Sequence, residues 1–324
     1  MVYLLFHSPK WYCSYLKKEL GDDCEVLFSK NHKQRVVRYL FGSIMAVRKS
    51  SHDDTIVCWY DAQAVLCWWI CRVLFLKRKI VCLNILLKQK PTLKNRMASF
   101  LFKKALTATN FKASVTSRYY GEWLNEKLGI HVDYTLLHDV YHDFYEMPYH
   151  ESRHDIVFCG GCFGRDWPLM MEIVKAMPDI KFYLIMTQKM EQYHFAKMNG
   201  VYPDNVKVLK DIQYQQFMYC LCQSKIVCMP LDCEAPQGLI VMFESAANNK
   251  LILTSDTPTT REYFDDTQRL GKDVESWCKC IRYYLSHEDE RRKKAMDFHH
   301  WLKENCNEHY FATTVRQMVE SFED

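Results

Sequence analysis

The chain has 324 residues, 48% of them apolar, with fifteen cysteines and a formal charge of +4. That length suits two domains, and the apolar share lets each bury a core, which excludes a disordered chain and a small disulfide-stapled one. The charge is uneven: residues 1–150 hold 22 Lys and Arg against 13 Asp and Glu, the remainder 21 against 26, so the first half is expected to meet an anionic partner, the plain alternative being a solvated basic surface.

The opening MVYLLFHSPKWY lacks the basic start and small-residue cleavage site of a leader peptide and reads as a strand at 2–6. Further strands are expected at 25–28, 55–59, 79–83, 113–116 and 134–137, between helices at 11–20, 32–47, 62–76, 93–108 and 118–128. This alternation implies a parallel sheet covered by helices. The 62–76 helix, AQAVLCWWICRVLFL, is too short to span a bilayer and reads as a buried helix. The segment 88–104, KQKPTLKNRMASFLFKK, joins cations to Met97, Phe100, Leu101 and Phe102, as an interfacial helix on anionic lipid does. His138 and His142 stand at i, i+4 spacing at the crossing between the halves and are expected to cap or hinge it.

After Tyr149 the pattern restarts. Strands are expected at 155–159, 181–185, 206–209, 226–229 and 251–254. Helices are expected at 167–177, 190–199, 214–224, 238–247, 260–264 and 273–286, and a charged helical tail runs from 288. The polar stretch MPYHESRHD, 147–155, is the joint. The expected domains are 1–149, 150–305, and a final helix, 306–324, returning toward the first domain. Doubly wound sheets bind ligands at the C-terminal ends of their strands, so candidate residues are those that follow strands.

Two such places stand out. In VFCGGCFGRDW, 157–167, Gly160, Gly161 and Gly164 let backbone pass close to a ligand, and Arg165 offers a bidentate clamp for a phosphate. The plain alternative is a tight turn with a surface arginine. In CMPLDCEAPQGLIVMFESAANN, 228–249, a helix opens at Gly238 and carries Glu244 among Val241, Met242, Phe243 and small residues. That is an unusual setting for a solvated carboxylate, although a surface Glu on an amphipathic helix is the ordinary alternative. The cysteines are expected to be reduced, buried and apolar in role, in a cytosolic protein. Their close pairs are too dispersed for a zinc knuckle, so no metal is expected.

Residues 155–264 resemble the C-terminal domain of the group 1 retaining glycosyltransferases. The likeness is carried by the Gly-rich turn with Arg165, by MPDIKFYLI (177–185), by Asn205–Leu209, by SKIVCMPLD, and by the acid–glycine block at 238–247 followed by Lys250–Leu253. The resemblance implies the GT-B fold: two Rossmann-like, doubly wound α/β domains facing a central cleft. It implies a nucleotide diphosphate sugar donor contacted by Gly160, Gly161, Arg165, Lys210, Gln237, Gly238, Leu239 and Glu244, with Glu244 on the ribose. It places Glu234 near the sugar and implies a glycan or lipid-linked acceptor, which His7 and Asp61, each following a strand, are expected to orient. For His7 and Asp61 the alternative is an ordinary polar residue at a strand end.

No cofactor is implied beyond the donor itself, no metal, and no nucleic acid partner. The implied role is bacterial surface polysaccharide synthesis, in the cytoplasm or peripherally at the inner face of the cell membrane, on an anionic surface. Four features depart from the family pattern, the first being that the usual diphosphate-binding Arg and Lys pair is represented only by Arg165. Glu234 stands ten residues before Glu244, where two acids usually flank seven residues. FHSPKWY, 6–12, has no glycine, and LNILLK, 83–88, has no histidine. A catalytically silent scaffold of the same shape is therefore the rival reading. An RNA-binding role is disfavoured, because the aromatics of the basic half lie within apolar runs.

Overall fold

The computed structural model describes residues 1–30, 32–87, 92–198 and 200–322, without the side chains of Trp11 and Lys94. The chain divides into two compact units, Met1–Val140 with Glu308–Asp324, and Tyr141–Asn307.

In the first unit, strands β1 (Val2–Phe6), β2 (Cys24–Phe28), β3 (Thr55–Cys58), β4 (Lys79–Cys82), β5 (Phe111–Val115) and β6 (Thr135–Leu136) form a parallel sheet in the order β2-β1-β3-β4-β5-β6. The crossovers are helices α1 (Ser14–Leu20), α2 (Arg35–Lys49), α3 (Asp61–Val73), α4 (Leu93–Leu106) and α5 (Arg118–Leu128). Every residue of β3 is buried, the pattern of a strand covered by helices on both faces. Side-chain caps fix two helix starts: Thr92 accepts the Asn95 amide, and Ser117 accepts that of Tyr120. The chain builds β2 on one side of β1 and then returns to build β3 on the other. The strand order thus reverses between β1 and β3, which opens a crevice at their C-terminal ends.

In the second unit, strands β7 (Ile156–Gly160), β8 (Lys181–Met186), β9 (Val206–Lys210), β10 (Ile226–Met229), β11 (Leu251–Ser255) and β12 (Arg269–Leu270) form a parallel sheet in the order β12-β11-β10-β7-β8-β9. Its helices are α6 (Trp167–Ala176), α7 (Gln188–Phe195), α8 (Tyr214–Gln223), α9 (Leu239–Ala247), α10 (Val274–Ser286) and α11 (Glu288–Asn305). Here the order reverses between β7 and β10, which pair through Ile226↔Val157 and Val227↔Phe158.

Two details differ from expectation. The short strand β12 was not anticipated. The segment 260–264 holds only a 3-10 turn, Thr260–Glu262, because the Thr257 and Thr260 hydroxyls each accept the other's amide and close the backbone on itself. Residue 199 of the expected 190–199 helix, and residues 88–91 of the basic 88–104 segment, lie outside the described residues.

The break between units falls between Val140 and Tyr141, ahead of the 149/150 position read from polarity. Tyr141 is buried, and its N–H donates to the Cys306 carbonyl (2.6 Å). Asn248 then accepts the Met147 amide (3.0 Å) and donates to the Tyr145 carbonyl (2.9 Å). This polar stretch therefore satisfies its backbone on the second unit. The last helix, α12 (Glu308–Glu320), buries Phe311, Ala312, Val315 and Met318 with Leu4, Phe6, Leu16 and Val57 of the first unit. That single face is worth roughly 1.5–3 kcal/mol for each large side chain removed from water. All fifteen cysteines are in the reduced, thiol form. Among the described residues no helix is long and apolar enough to cross a membrane.

Candidate functional site

At the β7/β10 reversal, two loops are tied together. The Asp166 amide donates to the Pro230 carbonyl (2.8 Å), and the Asp232 amide donates to that of Gly164 (3.0 Å). Between these bonds lies Arg165, only 3% exposed. Its Nε donates to the Gly160 carbonyl (3.0 Å), and its Nη1 is buried without a partner. Burial pulls its pKa below the ordinary guanidinium value. Among the described residues no carboxylate pairs with it.

Glycines make room for this side chain. Gly161, Gly164 and Gly238 all have positive φ, and a Cβ at Gly161 or Gly238 would meet the guanidinium. A Cβ at Gly164 would meet Gln237, whose Oε1 is likewise buried without a partner. Gly238 is the N-cap of α9 and supplies no side-chain cap. The first amides of α9, beginning at Leu239, are therefore left as unsatisfied donors beside the guanidinium. Gly160, Gly161, Arg165, Gln237, Gly238 and Leu239 are thus brought together.

Glu244, two turns along α9, is 3% exposed. Burial pushes its pKa up to about 7, against a hydrogen bond from Tyr214 that lowers it. Tyr214 begins α8 and was not singled out in the sequence. Nothing at position 214 signals that its hydroxyl reaches a carboxylate thirty residues later in the chain. Glu234 is exposed on the β10–α9 loop, where its carbonyl accepts the Thr259 hydroxyl (3.1 Å). Lys210 ends the edge strand β9, two strands from β7, and its Nζ lies 3.6 Å from Glu191. It is not brought into the Arg165 cluster.

In the first unit, His7 follows β1 and Asp61 opens α3 after β3, on either side of the β1/β3 reversal. The His7 ring meets Tyr60 edge to face at 4.5 Å, and Arg35 lies over the Tyr39 and Tyr60 rings. Burial, then Arg38 and Arg35, lower the His7 pKa. Both Asp61 oxygens accept backbone amides, from Leu86 (2.9 Å) and from Ala62 (2.6 Å). Burial raises its pKa against these bonds. Tyr39, Tyr60 and Arg35 carry no signal in the sequence, because α2 meets Tyr60 at the start of α3 only through the fold.

His138 stacks on Tyr310 and His142 on Phe144, so each ring has its own aromatic neighbour. Among the described residues no group of three or more His, Cys, Asp or Glu side chains is placed to hold a metal ion.

The fold is similar to that of sucrose-phosphate synthase from Thermosynechococcus elongatus, with a TM-score of 0.76 at 11% identity over 99% of this chain and 98% of that one. Residues 165–320 match the family model described as glycosyl transferase-like. Residues 165–320 are thus a glycosyl transferase-like domain, and the chain has the GT-B fold.

Two further structures resemble this chain. One is Anabaena HepE in complex with UDP and glucose, with a TM-score of 0.68 at 11% identity over 99% of both chains. The other is the UDP-forming α,α-trehalose-phosphate synthase from Burkholderia vietnamiensis, with a TM-score of 0.64 at 10% identity over 90% of this chain and 81% of that one. No functionally curated protein matches the sequence.

Proposed function

We propose that the second unit holds a nucleotide diphosphate sugar and that the chain transfers its sugar, with retention, to a glycan or lipid-linked acceptor. The observation that carries this is the Arg165 guanidinium, buried with an unpartnered Nη1 beside the open start of α9. A buried cation without a counter-ion costs several kcal/mol, and a diphosphate entering there would relieve that cost. Resemblance supports the rest. Glu244 would accept the ribose hydroxyls, and Gln237 and Gly238 would line the diphosphate. Glu234 would sit near the sugar, and Lys210 would add a peripheral positive charge.

In a front-face transfer the bond from the anomeric carbon to the diphosphate breaks. The acceptor oxygen bonds that carbon on the same face, and the acceptor proton passes to the departing phosphate oxygen. The protein then needs no separate base. Arg165 and the α9 amides stabilise the growing negative charge, while His7 and Asp61 orient the acceptor. No metal or further cofactor enters this scheme. Relatives of this shape include one bound to UDP-glucose, which favours a uridine nucleotide as the first donor to try.

The basic first half supports an acceptor carried on an anionic membrane surface at the cytoplasmic face, as in bacterial surface polysaccharide synthesis. A thermal-shift panel of nucleosides, nucleoside diphosphates and nucleotide sugars tests the donor assignment. A diphosphate at a hundred times its dissociation constant should stabilise the protein by about 2.7 kcal/mol. Indifference to every diphosphate would sink it. The anomeric configuration of the product, read by NMR, tests retention.

A further inference from the structure

The first unit carries a projection that its own packing does not explain. Helix α3 ends at Val73, and the Leu76 amide then reaches back to the Cys71 carbonyl (2.8 Å), closing a left-handed helix terminus. The residue at the left-handed position is ordinarily glycine. Here it is Phe75, with φ +55, and its side chain is 93% exposed. Val73 and Leu74 before it are exposed as well. A bulky aromatic in this conformation is strained, and its exposure returns nothing to the folded chain.

Around the turn lies a cavity of about 1110 Å³ lined by Phe75, Trp69, Arg72, Lys77, Lys79 and Lys104, among others. Asp53 is the only acid among the described residues lining it. Arg78, also there, is occupied by Ser50 and the Lys77 carbonyl. Among the described residues no carboxylate pairs with Arg72, Lys77, Lys79 or Lys104. Helix α4, which lends Lys104 to the cavity, carries a second apolar feature. Leu93, Met97 and Phe100 are exposed along α4 at i, i+4 and i+7, and the same stripe continues to Lys104. An apolar stripe and an aromatic prong therefore converge on a basic bowl.

We infer that this surface docks on a bilayer containing anionic phospholipid. Phe75 and Leu74 enter the acyl boundary, the α4 stripe lies along the interface, and Arg72, Lys77, Lys79 and Lys104 meet the headgroup phosphates. The charge complementarity selects lipid of this class. The apolar prong selects a bilayer over a soluble polyanion, which would leave Phe75 in water. This placement rests on the membrane-surface part of the reading above and is independent of the donor chemistry.

The test is flotation of the full chain with phosphatidylcholine vesicles and with vesicles in which phosphatidylglycerol replaces part of it. Binding is expected only to the anionic vesicles, and it weakens as salt rises. Phe75→Gly places the residue suited to a left-handed terminus, so its melting temperature should hold or rise. Its partition should nevertheless fall by about tenfold to a hundredfold, the worth of one buried aromatic side chain. Arg72→Glu with Lys77→Glu should abolish binding. Unchanged partition of Phe75→Gly, or equal competition by heparin for wild type and variant, overturns the placement alone. No binding to either vesicle overturns both the placement and the membrane-surface reading, while the thermal-shift panel continues to report on the donor.

Discussion

Arg165 and Gly238 occupy space that excludes a side chain at position 238. A Cβ there would stand 2.7 Å from Nη1 of Arg165 and 2.8 Å from the end of the Met229 side chain. The backbone φ of +87 adds a second reason for glycine. Gly238→Ala is therefore expected to destabilise the protein by about 1–3 kcal/mol. It should also weaken nucleoside diphosphate binding by displacing the guanidinium. Urea denaturation and calorimetry measure the two effects. A variant with wild-type stability would mean that the contact is soft.

Substitution of Arg165 itself should move stability and binding in opposite directions. Arg165→Met removes an unpaired buried cation, so the unliganded protein should be as stable as wild type or more so. Affinity for a nucleoside diphosphate should fall by about tenfold to a hundredfold, as a lost charge-assisted contact worth roughly 1.5–3 kcal/mol implies. Affinity for the bare nucleoside should not change. Parallel losses for both ligands would remove Arg165 from the phosphates.

Glu244 gives a pH-dependent expectation. Its folded pKa, about 7, lies above the ordinary 4.5 because of burial. The native state therefore holds its proton where the unfolded chain has lost it. Stability from this group is complete below about pH 4.5 and is lost as pH rises through 7, a span of about 3 kcal/mol. Glu244→Gln should flatten that slope. If the carboxylate accepts ribose hydroxyls, donor binding at neutral pH should release a proton from wild type and none from the variant. Titration calorimetry in buffers of different ionisation enthalpy reads this directly, and equal proton release from both would exclude Glu244 from the ribose.

The Glu151–Arg291 pair sets acid stability in the second unit. Arg291 is 1% exposed and grips both Glu151 oxygens at 2.9 and 2.8 Å, and Lys250 adds a contact at 3.3 Å. Burial raises the Glu151 pKa, but the bonds and charges of Arg291 and Lys250 outweigh it and hold the carboxyl below 4.5. Its contribution is therefore present above that value and is lost as pH falls through the lower folded one. Arg291→Met should cost about 1–3 kcal/mol, because it leaves the half-buried carboxylate to Lys250 alone. Part of that should return in the Glu151→Gln background. A loss below 1 kcal/mol in denaturant titrations would show that the pair is replaceable.

Much of the architecture was legible in the sequence because it depends on local periodicity. The alternation of short apolar runs with helical stretches placed β1, β3, β4, β7 and β10 to within a residue or so. The positive-φ glycines at 161 and 238 marked the loops that pass closest to Arg165. Other features needed three dimensions. That Arg165 is buried without a counter-ion depends on two loops brought together by a strand reversal, seventy residues apart in the chain. The Tyr214 bond to Glu244, the attachment of 141–149 to the second unit, and the exposure of Phe75 are likewise sums of distant packing. Hydrophobic period and turn chemistry act over a few residues and are written in order along the chain. Burial, and with it the state of every charge in this protein, depends on which distant segments exclude water from the same place, and only the tertiary structure decides that.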